Sequence, residues 1–85
     1  MANNGVAVNG KAIRDARLRK GWTLRDVSDA CEELARKELG CKVDYGNVSQ
    51  YERGLIRPNP RTLYTLAMAL GVTVDDLRDP SELAA

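Results

Sequence analysis

The side chains best suited to bind a polar, negatively charged partner lie in the stretch from Asp44 to Pro60. If a helix begins after Asp44, then at about 100° per residue Val48 and Tyr51 fall on one apolar side, with Glu52 at its margin. The opposite side is polar and carries no acid; it consists of Tyr45, Gly46, Ser49, Gln50 and Arg53. Solvated helix faces are usually rich in Glu and Lys, so this one is typical of a face pressed against a polyanion such as DNA.

The basic residues are distributed unevenly, although the net charge of the 85 residues is only +1. Residues 11–25 hold six basic residues and one acid, whereas residues 26–44 hold three basic residues and six acids. Residues 50–65 are basic again, and the chain from residue 72 onward is acidic. Such segregation can place a basic face on a nearly neutral molecule, although it also reduces repulsion within any chain.

Length and composition limit the class of protein. A chain of 85 residues forms one small domain, which leaves little room for an enclosed cofactor site, and we expect no cofactor. No apolar run approaches the roughly 20 residues that span a bilayer, and the N-terminus has no signal-peptide pattern. We therefore expect a protein that acts in the cytoplasm and not at a membrane.

The two cysteines do not form a metal-binding pattern. Cys31 and Cys41 are separated by nine residues and the chain has no His, so a zinc site would have to recruit carboxylates. We expect two reduced thiols, with Cys31 in the core and Cys41 in a loop. An enzyme is not indicated either, because no nucleophile lies beside a base and no glycine-rich loop is placed to hold a phosphate.

Five segments have the features of helices, and none alternates with the period of a strand. The predicted helices cover residues 10–20, 24–39, 45–53 and 60–70, and a short fifth helix contains Val74 and Leu77. Each follows a residue that commonly caps a helix: Asn9, Thr23, Asp44, Asn59 and Thr73. The prediction is an all-α, five-helix domain over residues 9–79, with a disordered arm at 1–8 and a flexible tail at 80–85.

The second predicted helix is unusually long. Apolar residues keep the helical period as far as Leu39, and Gly40 is a natural stop. Leu34 and Leu39 would then need to be buried, either against the domain or against a partner.

Over roughly residues 9–79, the chain resembles the phage repressor/Cro-type helix-turn-helix domain of the Xre family. The order and spacing of several segments carry the resemblance. These are Ile13-Arg14-x-x-Arg17, Lys20-Gly21-Trp22-Thr23, Val48-Ser49-Gln50-Tyr51-Glu52-Arg53-Gly54, Arg57-x-Asn59-Pro60, Thr62-Leu63 and Leu66-Ala67-x-Ala69-Leu70-Gly71-Val72. The resemblance implies that helix 3 is a recognition helix that enters the major groove of DNA.

Carried over by position, the resemblance implies that Tyr45, Gly46, Ser49 and Gln50 face base edges. Among them, Gln50 is suited to adenine, since its side-chain N–H can donate to N7 while its carbonyl oxygen accepts from the N6 amino group. Phosphate contacts are expected around the start of helix 2 and the end of helix 3, from Thr23, Arg25, Asn47, Arg53, Arg57 and Arg61.

The resemblance also implies an ion pair between Arg17 of helix 1 and Glu52 of helix 3. Two features depart from the family pattern. Leu24 stands where the family usually has a phosphate-binding Gln, and the added residues 32–42 suit about three further turns of helix 2.

The favoured function is a sequence-specific transcriptional regulator, a repressor from a phage or bacterium. It would act at the nucleoid, where it would bind an inverted repeat in double-stranded DNA as a homodimer. The two copies would contact each other through helix 5 or through the helix 2 extension. The alternative is a protein-interaction module, antitoxin-like or an adaptor, that uses the helix 2 extension as its docking surface.

Overall fold

The computed structural model describes residues 5–80, so the predictions for residues 1–4 and 81–85 lie outside the described residues. The described part contains five α-helices and no strand, only one isolated β-bridge. The helices are α1 (Gly10–Arg19), α2 (Leu24–Arg36), α3 (Tyr45–Glu52), α4 (Pro60–Leu70) and α5 (Val74–Leu77). The prediction of an all-α, five-helix fold is confirmed.

All five helices begin where the capping residues predict. The side-chain oxygens of the caps accept hydrogen bonds from backbone N–H groups in the first turn of each helix. In α2 and α5 the third helical residue, Asp26 or Asp76, also accepts a hydrogen bond from the cap's own N–H at 2.9 Å. The N–H of Thr73 lowers the pKa of Asp76, because it stabilises the charged carboxylate.

The end of α2 differs from the prediction. The helix ends at Arg36, and Glu38 adopts the left-handed conformation with φ 61°. The N–H of Leu39 donates to the carbonyl of Leu34 at 2.9 Å, which closes the helix with a Schellman motif. The predicted extension to Leu39 is therefore wrong: the periodic pattern continues for three residues after the backbone has turned away.

Gly40 does not end the helix but allows the following loop to pack. A Cβ atom on Gly40 would lie 2.6 Å from the Oγ1 of Thr65, so only glycine fits against α4 at this point. Leu39 is left 51% exposed, and thus it is not buried against the rest of the described domain.

Glu38→Gly is expected to stabilise the domain by about 0.5–1 kcal/mol, since glycine adopts positive φ without the strain of a Cβ atom. The greater conformational entropy of glycine in the unfolded chain offsets part of this gain. Lys37→Gly is the matched control, because Lys37 has a φ of −88° that any residue adopts. It should be neutral or destabilising. Urea unfolding of both variants measures the difference, and a loss of stability in Glu38→Gly would contradict the assignment.

The core is formed by the apolar faces of all five helices and by Val43 of the loop between α2 and α3. Its largest fully buried side chains include Ile13, Val27, Val48, Leu63, Leu66 and Leu77. Leu77 of α5 is only 1% exposed within the single domain. Its burial therefore needs no second subunit.

Residues 5–8 correct the prediction of a disordered arm at 1–8. The N–H of Val6 donates to the carbonyl of Pro58 at 2.7 Å, and the N–H of Asp79 donates to the carbonyl of Ala7 at 3.1 Å. Ala7 is buried. These backbone hydrogen bonds hold the segment between the α3–α4 loop and the end of α5; they join residues distant in sequence, so no local pattern reveals them.

Candidate nucleic-acid interface

Helix α3 is amphipathic in the way the sequence predicts. Val48 and Tyr51 are buried in the core, while Ser49 and Gln50 on the outer side are partly exposed. The side chains of Ser49 and Gln50 form no hydrogen bond with any described residue. They are therefore free to donate to and accept from an external polar ligand.

The first turn of α3 is fixed by its cap. A carboxylate oxygen of Asp44 accepts from the N–H of Gly46 at 3.0 Å. A Cβ atom on residue 46 would lie 2.8 Å from that same oxygen, so the glycine leaves room for the cap. It also leaves the helix backbone uncovered at a point on the outer face, beside Tyr45, which is 45% exposed.

An ion pair joins the last turn of α3 to α1. Nε of Arg17 donates to Oε2 of Glu52 at 2.7 Å, and Nη2 of Arg17 donates to Oε1 at 3.0 Å. The two side chains are only 13% and 7% exposed, and Nη1 of Arg17 also donates to the carbonyl of Trp22 at 2.9 Å. The hydrogen bonds that Arg17 donates to Glu52 raise the pKa of Arg17, because they stabilise its charged form. This bidentate, buried geometry fixes the orientation of α3 against the scaffold.

Gly10 brings the two helices still closer together. A methyl group at this first position of α1 would overlap the carbonyl oxygen of Glu52. The start of α1 thus lies directly against the backbone at the end of α3. Both ends of the α1–α3 contact are close-packed, one through Gly10 and the other through Arg17.

Residues expected to contact phosphates lie in several different environments. Thr23 is engaged in the α2 capping box, but the first N–H groups of α2, on Leu24 and Arg25, have no acceptor within the helix. Such N–H groups at a helix start are suited to bind an anion. Asn47, Arg53 and Arg57 are exposed around α3 and the loop that follows it.

Arg61 is placed differently from the other arginines. Its Nη2 donates to the carbonyl of Gly40 at 3.2 Å, in the loop between α2 and α3. The same loop is held by Ser28, whose hydroxyl donates to the carbonyl of Val43 at 2.7 Å. Arg61 therefore helps to fold the connection that precedes the candidate recognition helix, in addition to offering exposed positive charge.

One contact in this region was not anticipated from the sequence. The guanidinium of Arg25, in the first turn of α2, lies 4.8 Å from the centre of the Tyr45 ring, at the start of α3. The geometry is that of a cation–π interaction. The sequence gives no signal for it, because the two residues are twenty positions apart and only the tertiary arrangement of the helices brings them together.

The cysteines lie away from the outer face of α3. Cys31 is completely buried, and burial raises the pKa of its thiol to about 12, so this thiol stays protonated at neutral pH. The Sγ of Cys41 lies 3.7 Å and 3.6 Å from the hydroxyl oxygens of Thr62 and Thr65. Residues 5–80 contain no group of His, Cys, Asp or Glu side chains arranged to hold a metal ion.

Comparison with known proteins gives one match. A family model described as helix-turn-helix matches residues 13–77, which extend from the second turn of α1 through α5. No curated protein and no solved structure matched the chain significantly. Among the described residues, no helix combines the length and the apolar character that a bilayer crossing requires.

Proposed function

Because the chain belongs to the Xre/Cro-type helix-turn-helix family, we propose that it is a sequence-specific transcriptional repressor of a phage or bacterium. It acts in the cytoplasm on chromosomal or phage DNA. The observation that carries the proposal is the outer face of α3, where Ser49 and Gln50 lack hydrogen-bond partners in the described structure. Recognition of base edges requires polar side chains that have no partner within the protein and that lie on a helix held in place at both ends.

In this proposal α3 enters the major groove with its first two turns. Gln50 pairs with an adenine edge, and Ser49 accepts or donates at a neighbouring base. Gly46, which is partly exposed and has no side chain, permits close approach of the helix backbone, and the exposed Tyr45 lies at the outer end of the contact. The ion pair between Arg17 and Glu52 supports this mode of binding because it holds the helix in one orientation before DNA arrives.

Positive charge around α3 supplies the contacts to the DNA backbone. The start of α2 offers free N–H groups together with Arg25, and the region after α3 offers Arg53 and Arg57. These contacts position the protein without reading sequence. The full set proposed for phosphate contact is Thr23, Arg25, Asn47, Arg53, Arg57 and Arg61.

A homodimer on an inverted repeat follows from the size of the domain. One domain of this kind reads few base pairs, so two half-sites are the simple route to useful specificity. Leu77 of α5 is already buried within one domain, whereas Leu39 after α2 is exposed. This difference favours the connection between α2 and α3 over α5 as the dimer contact.

Gln50→Ala is expected to lower affinity for the preferred duplex by roughly tenfold while leaving affinity for random duplex almost unchanged. Arg57→Ala is the matched comparison, since it removes a charge that contacts only phosphate and should weaken binding to both duplexes alike. Fluorescence anisotropy with the two duplexes separates the effects. Equal losses on both duplexes for Gln50→Ala would remove Gln50 from base recognition.

A second candidate function is a protein-interaction module. Leu39 is exposed a few residues after the segment of α2 that contains Glu32 and Glu33, and Leu24 stands where the family usually has a phosphate-binding Gln. Such a module would bind a protein through the end of α2. This second function would be favoured if the protein did not bind duplex DNA, or if its affinity for duplex DNA did not change with salt. Contacts to phosphates release counterions, so DNA binding through them must weaken as salt rises.

A further inference from the structure

The contact between Arg25 and Tyr45 has a consequence for how the domain would hold DNA. We propose that Tyr45 is a positioning residue for Arg25: its ring holds the guanidinium where it contacts a phosphate at the N-terminal end of α3. This inference rests on the proposed function, since it concerns the same DNA interface. It assigns Tyr45 an effect on backbone binding that acts through a residue of another helix.

The geometry leaves the donors of Arg25 available. The guanidinium lies 4.8 Å from the ring centre, and both side chains belong to exposed residues. A guanidinium carries five N–H donors, and no oxygen of the described residues accepts a hydrogen bond from those of Arg25. A carboxylate partner, by contrast, would occupy two donors and cancel the charge.

Nearby acids do not compete for Arg25 in the described structure. The carboxylate of Asp26 accepts the N–H of Thr23 at 2.9 Å in the α2 capping box. The carboxylate of Asp44 accepts the N–H of Gly46 at 3.0 Å in the α3 cap. Neither forms an ion pair with Arg25, so neither carboxylate occupies the N–H donors of its guanidinium.

Arg17 illustrates the contrast within the same domain. Its guanidinium donates to both oxygens of Glu52 and to the carbonyl of Trp22, so none of its nitrogens is left without a protein partner. Arg17 is thus a structural residue, while the guanidinium of Arg25 is ordered by a ring and still open to an anion. Ordering before binding matters, because an immobilised arginine has less rotamer entropy to lose when it meets the phosphate.

The test measures the salt dependence of binding to one preferred duplex for the wild type and five variants. Arg25→Ala should lower affinity and reduce the slope of log affinity against log salt by about 0.9, the value for one phosphate contact. Tyr45→Ala removes no charge, yet it should also reduce the slope and lower affinity by about three- to tenfold. Tyr45→Phe keeps the ring and should stay within about twofold of the wild type, since the face of either ring attracts a guanidinium. The double variant Arg25→Ala/Tyr45→Ala should lose less affinity than the two single losses combined, because Tyr45 can act through Arg25 only while Arg25 is present.

Ser49→Ala serves as the control for an uncharged change on the same helix, and it should lower affinity without changing the slope. An unchanged slope in Tyr45→Ala, or additive losses in the double variant, would overturn the inference while leaving DNA binding by the wild type intact. Failure of the wild type itself to bind any duplex would overturn the proposed function and the inference together. Thermal unfolding of each variant confirms that the compared proteins are folded.

Discussion

Glu52→Ala is expected to destabilise the domain by about 3–5 kcal/mol, the largest effect of any single substitution considered. The change leaves the guanidinium of Arg17 buried at the α1–α3 contact without its carboxylate, where its side chain is only 13% exposed. The charge of Arg17 would lose the carboxylate that stabilises it but would stay buried, so water could not replace that partner. Because the pair orients α3, DNA affinity should fall together with stability.

Glu33→Ala is the control for Glu52→Ala. Glu33 accepts from Arg36 at 3.0 Å, but its side chain is 54% exposed, and such surface pairs contribute only about 0–1 kcal/mol. Thermal and urea unfolding of the two variants give the comparison. Equal melting temperatures would show that the Arg17–Glu52 pair does not hold α3 in place in solution.

Gly10→Ala is expected to destabilise the domain by about 2–3 kcal/mol, although alanine favours helices over glycine by about 1 kcal/mol. The added methyl would overlap the carbonyl oxygen of Glu52, which belongs to the backbone and cannot rotate away. The start of α1 and the end of α3 would have to separate. This movement should also weaken binding to DNA, since it tilts the recognition helix.

Gly46→Ala is the matched variant, because it places the same methyl group in the first turn of a helix. There the nearest atom is a side-chain oxygen of Asp44 at 2.8 Å, which can move, and the gain in helix propensity offsets the disturbed cap. We expect its stability to stay within about 1 kcal/mol of the wild type. If Gly10→Ala were equally tolerated, the close approach of α1 and α3 would be contradicted.

Helix starts were predictable from the sequence because their determinants are local. Thr23, Asp44 and Asn59 each need only the N–H groups two or three residues downstream to act as caps, and every predicted cap does so. The apolar face of α3 was predictable for the same reason. Val48 and Tyr51 are three residues apart, and a helix places such residues on one side.

The end of α2 was not predictable in this way. Glu38 is an unusual residue for the left-handed position, whereas Gly40 and the period through Leu39 favour a longer helix. The early end of α2 goes with the packing of the loop against α4, where Gly40 lies against Thr65. These two residues are 25 positions apart in the sequence. Residues 5–8 follow the same rule, because their backbone partners lie near residues 58 and 77–79.

Some features of the candidate site were predictable from local sequence patterns, and others depend on the tertiary arrangement of the helices. The outer face of α3 follows from helical spacing alone. The pairing of Arg17 with Glu52 was expected only from the family resemblance, since nothing local to either residue indicates the other. The cation–π contact between Arg25 and Tyr45 was expected from neither, because it depends on how α2 and α3 cross.

Selection of binding sites from a pool of random duplexes by the wild-type protein is the most direct test of sequence recognition by α3. Recognition by α3 predicts one enriched half-site, present twice as an inverted repeat, and an affinity for this site that falls steeply as salt rises. Recovery of no preferred sequence, or an affinity that does not respond to salt, would contradict sequence recognition by α3.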